Sequence, residues 1–188
     1  MPIRIATPQD AAQIAEIYGP SVTDAVISFE ETAPDAAEIA QRMTAGLPTY
    51  PWLVVEEGGL ILGYAYAGRH QARAAYRWSV DVTVYVRDGH HRRGVARALY
   101  DRLFRILKRQ GFRCAYAGIA LPNPGSVGLH EAMGFEPVGI YRYVGWKHGA
   151  WRDVGWWALD LGAPDAHSGA PPEPTPFARL RDSEALAL

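Results

Sequence analysis

Hydrophobic and polar positions alternate most regularly over residues 79–86, Ser-Val-Asp-Val-Thr-Val-Tyr-Val. A two-residue period puts Val80, Val82, Val84 and Val86 on one face and Asp81, Thr83 and Tyr85 on the other, which predicts a strand. A short basic turn follows, after which Ala96, Leu99, Leu103, Ile106 and Leu107 recur at three- and four-residue spacing. That spacing predicts an amphipathic helix stopped by Gly111. Upstream, residues 3–6 read as a short strand, and Thr7 and Pro8 open a helix bearing Ala11, Ile14, Ala15 and Tyr18, which Gly19 and Pro20 are expected to end. A second helix opens at Pro34 and Asp35, carries Ile39 and Met43, and stops at Gly46 and Pro48. Residues 52–55 and 60–67 read as a hairpin turned at Gly58 and Gly59, and 68–76 as a polar connection.

Beyond the long helix, residues 112–120 form an apolar strand, 122–126 a turn, and 127–133 a short helix ended by Gly134. Residues 138–146 and 151–159 follow as a hairpin joined across Lys147, His148, Gly149 and Ala150. These elements place one α/β domain over residues 1–162. From 163 to 188 the chain is rich in proline and alanine and reads as a mobile tail.

Composition narrows the function classes. The 188 residues suit one domain, and 48% hydrophobic with 21% charged residues is the balance of a globular protein. The formal net charge of -1 gives no overall basic field for nucleic acid or membrane, so neither partner is expected. Cys114 is the sole cysteine, which rules out an internal disulfide and a cysteine metal cluster, and no metal is expected. The N-terminal residues lack the apolar run of a signal peptide, and no stretch reaches the length of a membrane helix, so the expected location is the cytoplasm. Six Trp and ten Tyr are many for this size, and they concentrate between Tyr141 and Trp157, where packing on strands is the plainest use for them.

The candidate chemistry lies where strand, basic glycine turn and helix succeed one another. Free N-H groups and the helix dipole converge at such a junction and suit an anion, and Gly94 lets the backbone come close to it. The run from Thr83 to Leu99, with its loop His91-Arg92-Arg93-Gly94-Val95-Ala96, resembles motif A of the GNAT superfamily of acetyltransferases. That loop follows the pattern Gln/Arg-x-x-Gly-x-Gly/Ala and holds the pyrophosphate of acetyl-CoA, and His91 stands here at the usual Gln/Arg position. The resemblance continues through Asn123, Ser126 and Leu129-His130-Glu131-Ala132-Met133-Gly134-Phe135. Across roughly residues 3–160 the chain is similar to one branch of the superfamily, the phosphinothricin and methionine sulfone or sulfoximine acetyltransferases. The runs that carry this likeness include Tyr64-Ala65-Tyr66-Ala67-Gly68, Ala72-Arg73-Ala74-Ala75-Tyr76-Arg77-Trp78 and Lys147-His148-Gly149-Ala150-Trp151.

The resemblance implies a mixed, mostly antiparallel sheet with helices on both faces, and acetyl-CoA as co-substrate. It assigns acetyl-CoA binding to Thr83, Val84, Tyr85, Val86, His91, Arg92, Arg93, Gly94, Val95, Ala96, Arg97, Asn123 and Ser126. Amine acetylation needs a base for the amine proton, donors for the oxyanion and an acid for the thiolate. The resemblance places the base at Asp81, one methylene shorter than the glutamate usual there, and the acid at His130. It assigns the acceptor site to Arg73, whose planar fork suits oxyanions, with Ala74 and Ala75 beside it and Phe29 and Tyr76 as walls. A homodimer formed through the aromatic C-terminal strands is a further family-level expectation. Two other readings stay open: the same enzyme acting on a different amine, such as another amino acid, a polyamine or a protein N-terminus, and a non-catalytic acyl-CoA-binding module.

Overall fold

The computed structural model describes residues 1–162 and 171–181. Seven strands form one sheet: β1 (Ile3–Ile5), β2 (Trp52–Glu57), β3 (Leu60–Arg69), β4 (Ser79–Val86), β5 (Cys114–Leu121), β6 (Glu136–Lys147) and β7 (Ala150–Asp160). Their order across the sheet is β1-β2-β3-β4-β5-β7-β6. Among the described residues only β4 and β5 pair in parallel. That parallel pair requires a crossover, which α3 (Val95–Gln110) supplies. The mixed, mostly antiparallel sheet expected above is therefore present.

Helices cover both faces. α3 buries Leu99, Leu103, Ile106 and Leu107 in a core shared with Val80, Val82, Ala115 and Ala117. On the opposite face α1 (Ala11–Thr23) and α2 (Ala36–Gly46) bury Ile14, Val22, Ile39 and Met43 against Trp52, Val54 and Tyr64. Strand alternation thus sends Val80 and Val82 to the α3 side. Asp81, Thr83 and Tyr85 face the side of α1 and α2.

Several boundaries differ from the pattern along the chain, each for a local reason. α1 does not end at Gly19 and Pro20 but continues to Thr23 with Pro20 inside it. A proline removes one backbone donor, and burial of Tyr18 and Val22 on either side keeps the last turn in place. The Val22 carbonyl at that helix end accepts from the buried Lys147 Nζ at 2.7 Å. α4 spans Pro124–Ala132, so it begins inside the expected turn. Asn123 caps it by accepting from Ser126 N-H at 3.0 Å, and Pro124 has the backbone torsion a first helical residue needs.

The expectation of a mobile tail fails for residues 171–181. Phe177, which opens the short α5 (Phe177–Arg181), is fully buried in the α3-side core. The Thr175 N-H donates to the Gln110 carbonyl at 2.7 Å, and Trp78 Nε1-H donates to the Pro172 carbonyl at 2.8 Å. Proline-rich composition signalled a mobile tail, and one buried aromatic side chain holds residues 171–181 on the domain. The remainder of the expected tail, 163–170 and 182–188, lies outside the described residues.

Candidate active site

The sheet opens at β4. Its pairing with β5 covers only Ser79–Asp81 against Cys114–Tyr116. β5 meanwhile stays in register with β7 along its whole length, from Cys114 opposite Asp160 to Leu121 opposite Asp153. The rest of β4 therefore leans away with β3 and leaves a wedge. Arg87 N-H donates to the Leu62 carbonyl on β3. By the alternation of an antiparallel ladder, the backbone groups of Val82, Val84 and Val86 point the other way, into the wedge.

Thr83, Val84, Tyr85, Asn123 and Ser126 line this wedge together with Tyr100 and His130. It continues into a groove of about 460 Å³ that passes Val86, His91 and Ala96 and has Ile17, Ser21 and Asp24 of α1 and its C-cap on the far side. At the groove's end α3 begins after Gly94, which adopts φ of +81°, a left-handed turn natural to glycine. The first backbone bond of α3 runs from Ala98 N-H to the Gly94 carbonyl. The N-H groups of Val95, Ala96 and Arg97 thus have no acceptor within the helix and present an anion-binding end.

The expected acetyl-CoA residues divide by what reaches this groove. Arg92 and Arg93 are exposed on the loop, with Arg92 at a left-handed φ of 59°. The Val95 side chain is buried in the α3 core, so it offers the groove only its backbone. Arg97 turns toward α4, where its Nη2 donates to the Ala132 carbonyl at 3.3 Å.

His130 sits on α4 with 4% of its surface exposed and both ring nitrogens engaged. Nδ1 lies 2.7 Å from the Ser126 carbonyl, which can only accept, so Nδ1 carries the hydrogen. Nε2 must then accept from the Tyr100 hydroxyl at 3.0 Å. Burial pushes the His130 pKa down, while the Ser126 carbonyl acts to raise it. Burial likewise holds the Tyr100 hydroxyl well above its ordinary range.

Asp81 reaches a different partner. Its Oδ1 lies 2.6 Å from Nδ1 of His70, the residue just after β3. Burial raises the Asp81 pKa, and the His70 contact offsets part of that rise. His70 in turn stacks on Tyr116 with ring centroids 4.3 Å apart and meets Tyr76 edge-on.

The expected acceptor residues are less gathered. Arg73 precedes an exposed single 3-10 turn, Ala74–Tyr76, from which Tyr76 alone reaches inward to His70. Phe29 lies across β6, its ring filling the space beside Gly145, where a Cβ would stand 2.3 Å from Phe29 Cε2. On the Asp81 face of the sheet there is also an aromatic cavity of about 380 Å³, lined by Tyr18, Trp52, Tyr64, Tyr66, Arg42 and Arg69. Trp52 and Tyr66 stack there at 4.1 Å.

Reading the chain missed His70, Tyr100 and this cavity. Tyr100 lay within the helical period as one more apolar position. His70 stood between arginines in a polar connection, and only the β3–β4 register, which sets Gly68 opposite Asp81, brings it to the carboxylate. Among the described residues no group of three or more His, Cys, Asp or Glu side chains is placed to hold a metal ion.

Residues 3–156 match the model of the acetyltransferase (GNAT) domain. A phosphinothricin N-acetyltransferase of Streptomyces viridochromogenes is 40% identical over 92% of this chain and 91% of its own length. An L-methionine sulfoximine/L-methionine sulfone acetyltransferase of Salmonella typhimurium is 36% identical over 88% of this chain and 99% of its own. Among solved structures, a GNAT superfamily phosphinothricin acetyltransferase from Sinorhizobium meliloti in complex with acetyl-CoA superposes with a TM-score of 0.85 at 35% identity, covering 92% of this chain and 94% of that one. The resemblance read from the loop and from the Asn123 to Phe135 segment is borne out, and the chain belongs to the GNAT family of acetyltransferases.

Proposed function

We propose that this enzyme transfers the acetyl group of acetyl-CoA to the amino group of a small amino-acid-like acceptor such as phosphinothricin, methionine sulfoximine or methionine sulfone. The observation that carries the reading is β4 itself. One strand turns the backbone groups of Val82, Val84 and Val86 into the wedge and holds Asp81 on the face of α1 and α2, so donor and acceptor meet across it.

The groove fits the co-substrate by its own chemistry. The left-handed Gly94, the unpaired amides at the start of α3 and the exposed Arg92 and Arg93 suit a pyrophosphate. Bound acetyl-CoA supplies the thioester whose acyl carbon is transferred. Asp81 removes a proton from the acceptor amine as its nitrogen bonds to that carbon. A wedge-facing N-H of β4 receives the negative charge growing on the acyl oxygen. The Tyr100 hydroxyl, whose hydrogen faces His130 Nε2, turns that hydrogen to the sulfur as the carbon-sulfur bond breaks, and the departing thiolate takes its proton from solvent. His130 thus acts through Tyr100, since its own proton is committed to the Ser126 carbonyl.

On the acceptor side, Phe29 and Tyr76 form walls and Arg73 with Ala74 and Ala75 the rim, where a guanidinium suits the acceptor's carboxylate. The test follows free-thiol release with acetyl-CoA and a panel of the three named amino acids, other amino acids, polyamines and N-terminal peptides. Turnover concentrated on the sulfone, sulfoximine or phosphinate acceptors is expected. Turnover on none of them removes this acceptor class, and acetyl-CoA binding without thiol release from any amine removes the enzyme.

The cytoplasm suits both the acetyl-CoA pool and the free Cys114. No helix among the described residues is long and apolar enough to cross a membrane. A homodimer built on β6 and β7 also belongs to this reading. It is supported by the exposed Val138, Ile140, Tyr143, Val144, Trp146 and Trp151, an apolar set that stands on the hairpin at the sheet edge.

A further inference from the structure

We infer that His70 is a positioning residue for Asp81, aiming the carboxylate so that its second oxygen takes the amine proton. This rests on the reading of Asp81 as the base. Nothing in the motifs that define the site includes His70, and its case is geometric.

The imidazole is clamped from three elements. It stacks on Tyr116 of β5 at 4.3 Å and 13°, and meets Tyr76 of the 3-10 turn and Trp156 of β7 edge-on at 6.1 and 5.9 Å. Tyr116 is also the residue of β5 in register with Asp81. A ring fixed on three sides can present only one nitrogen to the carboxylate, and that nitrogen is Nδ1, 2.6 Å from Oδ1. An ionised carboxylate only accepts, so Nδ1-H donates. With Oδ1 committed, Oδ2 is left for the acceptor.

The side chain of Asp81 is 37% exposed and that of His70 14%, so the pair is open to the acceptor on the carboxylate side. Around Asp81 the titratable groups are His70, Tyr66 of β3 and Tyr116 of β5, with Tyr76 beyond the imidazole. Among the described residues no arginine or lysine forms an ion pair with Asp81, so its one charge-stabilising partner is His70. The proton taken from the amine ends on Oδ2 and leaves to solvent, and His70 keeps its own proton throughout. An aspartate has little reach and one rotatable bond before its carboxyl, so a donor that selects its rotamer decides whether it faces the amine.

The test compares three substitutions that differ in where they place a donor. His70→Asn keeps an N-H at the Nδ1 position, His70→Gln moves it to the Nε2 position, and His70→Phe keeps the aromatic stack without a donor. The expected result is near-normal turnover for His70→Asn, with kcat lowered roughly 10- to 100-fold in the other two and KM for acetyl-CoA unchanged. The acid limb of kcat/KM against pH moves to higher pH in His70→Gln and His70→Phe, because the lost donor had been lowering the Asp81 pKa. If His70→Phe fails to fold, the Asn and Gln pair carries the test alone. Equal turnover in those two, or an acid limb that does not move, overturns the role of His70. Asp81→Asn, measured alongside, separates the two levels. Lost turnover there with an indifferent His70 keeps the base and rejects its positioning, and full turnover in Asp81→Asn rejects both.

Discussion

Asp81 and His130, the two residues proposed for the chemistry, lie in environments that push them in opposite directions. Asp81 lies on the α1 and α2 side of β4, where burial raises its pKa and His70 works against that rise. An amide in its place keeps the shape and loses the base, so Asp81→Asn is expected to lower kcat by about 100-fold or more with KM for acetyl-CoA unchanged. Steady-state kinetics with both substrates varied checks this, and an unchanged kcat removes Asp81 from the mechanism. His130 lies in the wedge, buried and neutral, below its ordinary value of 6.5. The unfolded chain therefore binds a proton at a pH where the folded one does not. The stability that the neutral ring provides is complete above that ordinary value and is lost as pH falls through the folded one. Thermal unfolding between about pH 7.5 and 5.5 is expected to show a smaller drop in Tm for His130→Gln than for the unaltered chain. An identical drop would mean that the buried ring is not what titrates.

At the scale of elements, the site depends on a few close approaches that hold strands and loops in place. Lys147 on β6 donates to the Val22 carbonyl at 2.7 Å, joining the end of α1 to the hairpin. A second such bond, from Lys147 Nζ to the Glu30 carbonyl, seats the segment that carries Phe29. Phe29 then occupies the space over Gly145. A methyl group there displaces a half-exposed ring without touching the core, so Gly145→Ala is expected to raise the acceptor KM severalfold with little change in acetyl-CoA KM or Tm. An acceptor KM equal to that of the unaltered chain would remove Phe29 from the pocket. β4 and α3 were legible in the sequence because their periods of two and 3.6 are nearly unbroken, and the Gly94 loop because it sits between them. The start of α4 was hidden because proline and asparagine serve turns and helix caps alike. The end of α1 was hidden because what sustains its last turn is tertiary, the burial of Tyr18 and Val22 and a bond from Lys147 far along the chain. His70 was hidden for a similar reason, since its partner is fixed by strand register and not by spacing.

The whole molecule is asymmetric in how well it covers its sheet. On the α3 side even the distal segment is used, with Phe177 buried in the core that α3 covers. At the other extreme, β6 is an edge strand 12 residues long that carries Val138, Tyr143 and Trp146 at 61%, 70% and 60% exposure. Trp146 and Trp151, paired across the hairpin, meet edge-on with centroids 5.4 Å apart and face outward together. A long apolar edge of this kind invites further pairing unless something covers it. A second copy of the same surface covers it symmetrically, because an isologous contact matches each apolar residue with the same set on its partner. The hairpin also seats Lys147 and Gly145, so burying it would stiffen the segment that carries Phe29. The prediction is that light scattering gives twice the chain mass at micromolar concentration, and that Trp146→Lys with Trp151→Lys halves it. Acceptor KM is expected to rise in that variant because the Phe29 segment loses its support. A monomeric unaltered chain would reject the dimer outright. A monomeric variant with unchanged acceptor KM would keep the dimer and sever its link to the active site.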